Sequence, residues 1–122
     1  MFRERELNQA IDNAFGETVE EVAQAMQDNL TASRWSWGRR TRRKNGDVVF
    51  SPRNIRDTDE LYDSQSVSFS GTQGEIKYTA NHAFAVHEGL AEGHDERPWI
   101  STTLKENNVA QMFGKNLERR LS

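Results

Sequence analysis

A chain of 122 residues and 14.0 kDa matches the size of one compact domain, so a single domain spanning residues 1–122 is expected and a second is excluded. The absence of cysteine excludes a disulfide framework, a thiolate nucleophile and a Cys-ligated zinc or iron–sulfur site. Leu, Ile, Val and Phe make up only about a fifth of the chain, yet the net charge is just −3, which excludes a charge-driven disordered chain and leaves a folded domain with a thin core that leans on neighbouring subunits.

Arg3 to Leu30 places Leu7, Ile11, Phe15, Val19, Val22, Met26 and Leu30 at spacings of three and four, which predicts a long amphipathic helix. Ala10, Ala14 and Ala23 widen its apolar stripe, while Glu17, Glu20, Glu21, Gln24 and Asp28 form a solvated or partner-facing side. Gly16 within it costs about 1 kcal/mol relative to alanine. Periodicity then stops until Val48, Val49 and Phe50, a β-prone run preceded by the turn signal Asn45-Gly46, so residues 34–47 read as a projecting loop or hairpin. Pro52 opposes a central strand, and Asp57 to Ser64 predicts a single capped helical turn.

Ser66 to Ser70 and Glu75 to Ala80 alternate around Gly71-Thr72-Gln73-Gly74, predicting a hairpin in which Val67, Phe69, Ile76 and Tyr78 share one buried face. Asn81 to Gly89 reads as a short inward-packing element, followed by an acidic surface loop. A last helix is expected to start at Thr102 or Thr103 and to carry Leu104, Val109, Phe113, Leu117 and Leu121 as its stripe, with Arg119 and Arg120 suiting its C-terminal dipole. The predicted fold class is α+β, with long N-terminal and C-terminal helices packed on a small antiparallel β-sheet and an extended basic loop or hairpin. No apolar run approaches the roughly 20 residues that span a bilayer, and the first residues are charged where a signal peptide is apolar, so no membrane association is expected.

Charge is unevenly placed. Arg34, Arg39, Arg40, Arg42, Arg43 and Lys44 fall in one stretch without an acid, and the remaining ten basic residues face 19 acids, so the rest of the chain carries −9. Guanidinium groups bind phosphates and carboxylates bidentately, and Trp35 and Trp37 can stack bases or fill a partner's pocket. The arm therefore has three readings: docking onto an acidic neighbour, including another copy of the chain; binding nucleic acid; or a solvated loop.

His82, His87, Glu88, His94 and Asp95 are metal-capable residues, but their spacing fits no standard ligand motif, because His82 and His87 are five apart rather than the four that aligns ligands on a helix. Asp57, Asp59, Glu60 and Asp63 cluster without a nucleophile elbow, a phosphate-binding loop or an HExxH motif. No metal, cofactor or enzymatic activity is therefore assigned.

Asp57-Thr58-Asp59-Glu60-Leu61-Tyr62-Asp63-Ser64 resembles the acidic-Thr-Gly-x-Leu-x-x-Ser segment of small head–tail joining and tail-completion (neck) proteins of tailed bacteriophages, with Asp59 in the place of the usual Gly. Ala83 to Gly89, Arg97-Pro98-Trp99-Ile100 and the helix from Val109 to Leu121 resemble the family's later segments in order and spacing. The resemblance implies a structural virion protein, made in the host cytoplasm, that forms a ring, commonly hexameric, with other tail or connector proteins as partners and DNA in the lumen. Tail terminator and neck connector both fit it. A nucleic-acid-binding module using Arg34 to Lys44 is the alternative. Arg34, Trp35, Trp37, Arg39, Arg40, Arg42, Arg43, Lys44, Arg97 and Trp99 are the expected subunit or partner contacts.

Overall fold

The computed structural model describes residues 3–35, 59–80, 83, 87 and 98–122, and the backbone of 41–42 and 48–49. Their order is α1 (Glu4–Thr31), β1 (Thr41–Arg42), β2 (Val48–Val49), α2 (Glu60–Asp63), β3 (Gln65–Ser70), β4 (Gln73–Tyr78), α3 (Trp99–Glu106) and α4 (Val109–Leu121). The arrangement is α+β, with long terminal helices and a small antiparallel sheet. Among the described residues no helix is long and apolar enough to cross a membrane.

The 28 residues of α1 extend about 42 Å, and everything else packs along this rod. Its expected stripe is buried unevenly. Val22, Met26 and Leu30 are buried, Ile11, Phe15 and Val19 are half-buried, and Leu7 is exposed. The core therefore sits at the C-terminal half of α1, where these three side chains meet Trp35, Leu61, Ala83 and Trp99, flanked by Ile76, Tyr78, Ile100 and Met112. Ala83 and His87 lie in helical backbone one turn apart. The rest of the expected inward-packing element at Asn81 to Gly89 lies outside the described residues.

β3 and β4 pair from Gln65↔Tyr78 to Ser70↔Gln73 without a bulge, closing at a two-residue turn in which Gly71 takes a positive φ of 60°. The turn is shorter than expected because Gln73 and Gly74 belong to the ladder. The hairpin runs along α1. Phe69 lies against Gly16, where an added Cβ would stand 2.5 Å from the ring, and Gly74 lies against Val19 and Phe15. A polar chain pins its open end: Gln65 Nε2 donates to the Ala23 carbonyl (2.9 Å), Tyr78 Oη to Gln27 Oε1 (2.8 Å) and Gln27 Nε2 to the Tyr62 carbonyl (3.0 Å). Burial pushes the Tyr78 phenol up to about 12, so it remains a donor at any ordinary pH.

The shared apolar face of the hairpin is only partly covered. Ile76 and Tyr78 are half-buried, but Val67 is 37% and Phe69 43% exposed, because among the described residues a single helix underlies the two strands. The expected last helix is divided in two. Trp99–Glu106 ends at Asn107, whose side chain and backbone N–H both return to the Thr103 carbonyl, and Asn108 caps the next helix by accepting from Gln111 N at 3.0 Å. Asparagine side chains compete with helical hydrogen bonds in this way. Thr103 is accordingly not an N-cap but a buried residue of α3 whose Oγ1 donates to the Trp99 carbonyl at 2.6 Å, and Leu104 and Val109 of the expected stripe stay exposed.

α4 runs back along α1. Asn116 Nδ2 donates to Thr18 Oγ1 (2.9 Å), Phe113 meets Phe15 edge-on, and Arg119 and Arg120 both bind Glu17. Partial burial works to raise the Glu17 carboxyl, and the hydrogen bonds from Arg120 and Arg119 outweigh it, holding the group below the usual carboxylate value.

The two helical glycines behave differently. An added methyl at Gly114 meets nothing within 4 Å, whereas at Gly16 it meets Phe69. Gly114→Ala should therefore stabilise the protein by up to ~1 kcal/mol, and Gly16→Ala should fail to gain that amount. Urea unfolding of both variants checks this, and equal stabilisation would remove the close contact between Phe69 and α1.

Candidate partner-docking surface

The first two residues of the basic stretch are fastened to the body. Arg34 sits three residues beyond the end of α1 and forms a two-pronged ion pair with Glu106 of α3, with Nη1 to Oε1 at 2.9 Å and Nη2 to Oε2 at 3.0 Å. Its Nη1 also donates to Asn29 Oδ1 (3.0 Å), while Asn29 Nδ2 donates to Thr103 Oγ1 (2.8 Å). One guanidinium thus ties together α1 and α3. The hydrogen bonds from Arg34 hold the Glu106 carboxyl below the usual carboxylate value, and Glu106 in turn raises the Arg34 guanidinium.

Trp35 follows at once and turns inward. It is 7% exposed, its Nε1 donates to the Asn29 carbonyl at 2.7 Å, and Arg34 lies 5.5 Å from its ring centre. Asn29 is in the last turn of α1, where carbonyls lack helical partners, so the indole both fills the core and satisfies one of them. Beyond this root the backbone of Thr41–Arg42 pairs antiparallel with Val48–Val49, with Thr41↔Val49 and Arg42↔Val48 in register. The arm therefore includes a hairpin whose connecting residues contain Asn45-Gly46.

The structure gives three of the expected contact residues partners within their own chain. Trp99 is fully buried, edge-on to Tyr78 and to His87 at 5.3 Å each, so its ring belongs to the core of its own chain rather than to a surface. Trp35 is buried for the same reason: a thin core recruits the large aromatic side chains nearest to it. Arg34 is engaged within its own chain by Glu106. Arg42 is described by its backbone alone, and Trp37, Arg39, Arg40, Arg43, Lys44 and Arg97 lie outside the described residues. So do His82, Glu88, His94, Asp95 and Asp57 among the metal-capable residues weighed above. His87 faces Ser101, its Nε2 lying 3.4 Å from the backbone nitrogen and from Oγ.

The body offers a surface of opposite charge. The side of α1 left open by the hairpin and α4 carries Glu20, Glu21, Gln24 and Asp28, all exposed, and neither Glu20 nor Glu21 forms an ion pair among the described residues. Beside it stand the exposed Val67 and Phe69. Sequence reasoning assigned those two to the core. Their only warning was composition, since the chain has too few apolar residues to cover both faces of its sheet and helix. Asn29 and Glu106, which hold the arm's root, carry no signal in the sequence because their pairing joins residues 77 apart.

Comparison with protein-family models, curated proteins and solved structures finds no match for this chain.

The depressed Glu106 carboxyl fixes the pH dependence of the root. A carboxyl whose value is lower in the folded state contributes stability that is complete above the ordinary carboxylate range and lost as pH falls through it. Glu106→Gln should therefore lower the urea midpoint slightly at neutral pH, the pair being half-exposed, and the gap from the unaltered protein should close in acid. Urea titrations across that range check the sign, and a gap that widens in acid would contradict it.

Proposed function

We propose that the chain is a structural subunit of the head–tail junction of a tailed bacteriophage, a tail terminator or neck connector whose copies join into a ring. The observation that carries this reading is the backbone at Asp59. It is the one non-glycine residue with positive φ among the described residues, at φ 66° and ψ 3°. The family pattern has glycine at this place, and left-handed backbone favours glycine first, then Asn and Asp. The one departure from the Thr-Gly-x-Leu segment is thus a substitution that the same turn tolerates, and the segment leads through the single turn of α2 into the strand β3.

Two further features support assembly. The apolar side chains Leu7, Val67, Phe69, Leu104 and Val109 are each more than a third exposed, so much of the sparse apolar surface is left for neighbours. Opposite charges are also carried by different parts of one chain, as a heterologous contact between identical subunits demands. In this reading the residues of the arm beyond Trp35 reach an adjacent subunit, and the helices form the wall. The virion is the place of action, and no catalysis is involved.

The test is the mass of the purified chain by light scattering, at low and high salt, with and without duplex DNA, followed by electron microscopy with tail or connector particles. A discrete ring, or rings on particles, is expected, and Arg39→Ala with Arg40→Ala should abolish it. A monomer that shifts only with DNA at low salt would instead establish a nucleic-acid-binding module, whose affinity falls steeply as salt rises.

A further inference from the structure

We infer that α4 is an exchangeable helix: the bend at Asn107-Asn108 straightens, and α4 then docks on α1 of a second copy through the contacts it makes within its own chain. The inference concerns how two copies join and stands whether or not the assembly belongs to a virion.

The bend is held by the two asparagines themselves. Between two regular helices, Asn107 and Asn108 take extended backbone, at φ −125°, ψ 117° and φ −77°, ψ 98°. The Asn107 side chain donates to the Thr103 carbonyl at 2.9 Å, and Asn108 Oδ1 accepts from Gln111 N at 3.0 Å. Neither belongs to the core, Asn107 being half-buried and Asn108 exposed. Such bonds compete with a helical backbone but do not forbid it. The apolar pattern runs straight through the break. At about 100° per residue, a continuous helix over residues 99–121 would bring Trp99, Thr103, Ala110, Phe113, Leu117 and Leu121 within about 80° of one another and turn Asn108 to the opposite side. The bent and the straight form therefore differ at two residues.

Straightening separates α4 from its own α1. α3 ends beside the C-terminal end of α1, where Thr103 bonds Asn29 and Glu106 binds Arg34, and the bend is what turns α4 back to Thr18 and Glu17. A straight helix would carry α4 past the end of α1 and strip Phe15, Glu17 and Thr18 of their α4 partners.

The latch these residues form suits re-use. Asn116 is the buried residue of α4 and bonds Thr18, Arg119 and Arg120 bind Glu17, Phe113 meets Phe15 edge-on, and Met112 packs at the edge of the core. So polar a contact resembles one between separable partners more than the inside of a core. None of these pairings requires its two helices to belong to one chain, so α4 of a second copy restores them all. This is the exchange of an identical element between protomers.

Two sets of variants test the exchange by light scattering. Asn107→Ala with Asn108→Ala removes both side-chain bonds and favours helical backbone, so its mass should rise to two or more times the 14.0 kDa of one chain. Asn108→Pro fits the φ of −77° and the extended residue before it but cannot continue a helix, so at the same concentrations it should stay at one. The second set reassigns the ion pairs. A Glu17→Arg chain, and a chain with Arg119→Glu and Arg120→Glu, each set like charges together when α4 docks on its own α1, whereas exchange between the two matches both sites. Mixed, they should form a one-to-one dimer at twice the chain mass that neither forms alone. A mixture that stays at the single-chain mass overturns the inference, even where the alanine variant fails to fold. So does a folded alanine variant that keeps the mass of Asn108→Pro. Oligomers that form equally in Asn108→Pro would mean that copies join without exchanging α4, which rejects the exchange and leaves the assembly reading intact, whereas a mixed dimer without rings keeps the exchange and rejects the ring.

Discussion

The molecule is governed by a shortage of apolar side chains along a 28-residue helix. A helix about 42 Å long needs a partner over its full length to bury its stripe, and this chain has large side chains enough for only part of it. They gather where Val22, Met26 and Leu30 meet Trp99, Leu61 and Trp35. Full burial of an aromatic side chain contributes roughly 2–3 kcal/mol, so concentrating the few large ones at a single point yields one well-packed core rather than a diffuse one. The cost falls elsewhere, on the first turns of α1 and the outer strand of the hairpin, whose apolar groups stay half-covered.

The fastening of the arm follows from the same economy. Trp35 is drawn into the core, and its neighbour Arg34 is brought within reach of Glu106 and Asn29. An exposed ion pair by itself contributes little, so the buried indole sets the position and the two-pronged pair sets the direction. The two residues that begin the basic stretch thus belong to the body.

The elements legible in the sequence were those specified by local chemistry. The stripe of α1, the hairpin between Gly71 and its flanking strands and the single turn at Glu60–Asp63 all follow from spacing and turn residues. What escaped depends on which surface meets which. Alternation placed Val67 and Phe69 on the same face as Ile76 and Tyr78, correctly, but could not reveal that one helix is too narrow to cover that face. The periodic stripe from Leu104 to Leu121 concealed the break at Asn107-Asn108, where side-chain bonds to the backbone outweigh continuity of the helix. Tryptophans beside arginine and proline looked like surface anchors. In a chain so poor in apolar residues, the same two rings are instead the pieces that complete the core.

Three sides of α1 are thereby given three environments. α4 closes one through Asn116, Arg119 and Arg120, and the hairpin closes the second through Gln65 and Tyr78. On the third, Glu20, Glu21, Gln24 and Asp28 are exposed among the described residues, next to Glu17, which the two arginines of α4 bind. Contacts between two different patches of identical subunits carry a rotation from one copy to the next, which closes as a ring or continues as a filament. In the assembly proposed above, the direction set by Arg34 and Trp35 at the start of the basic stretch would fix that rotation.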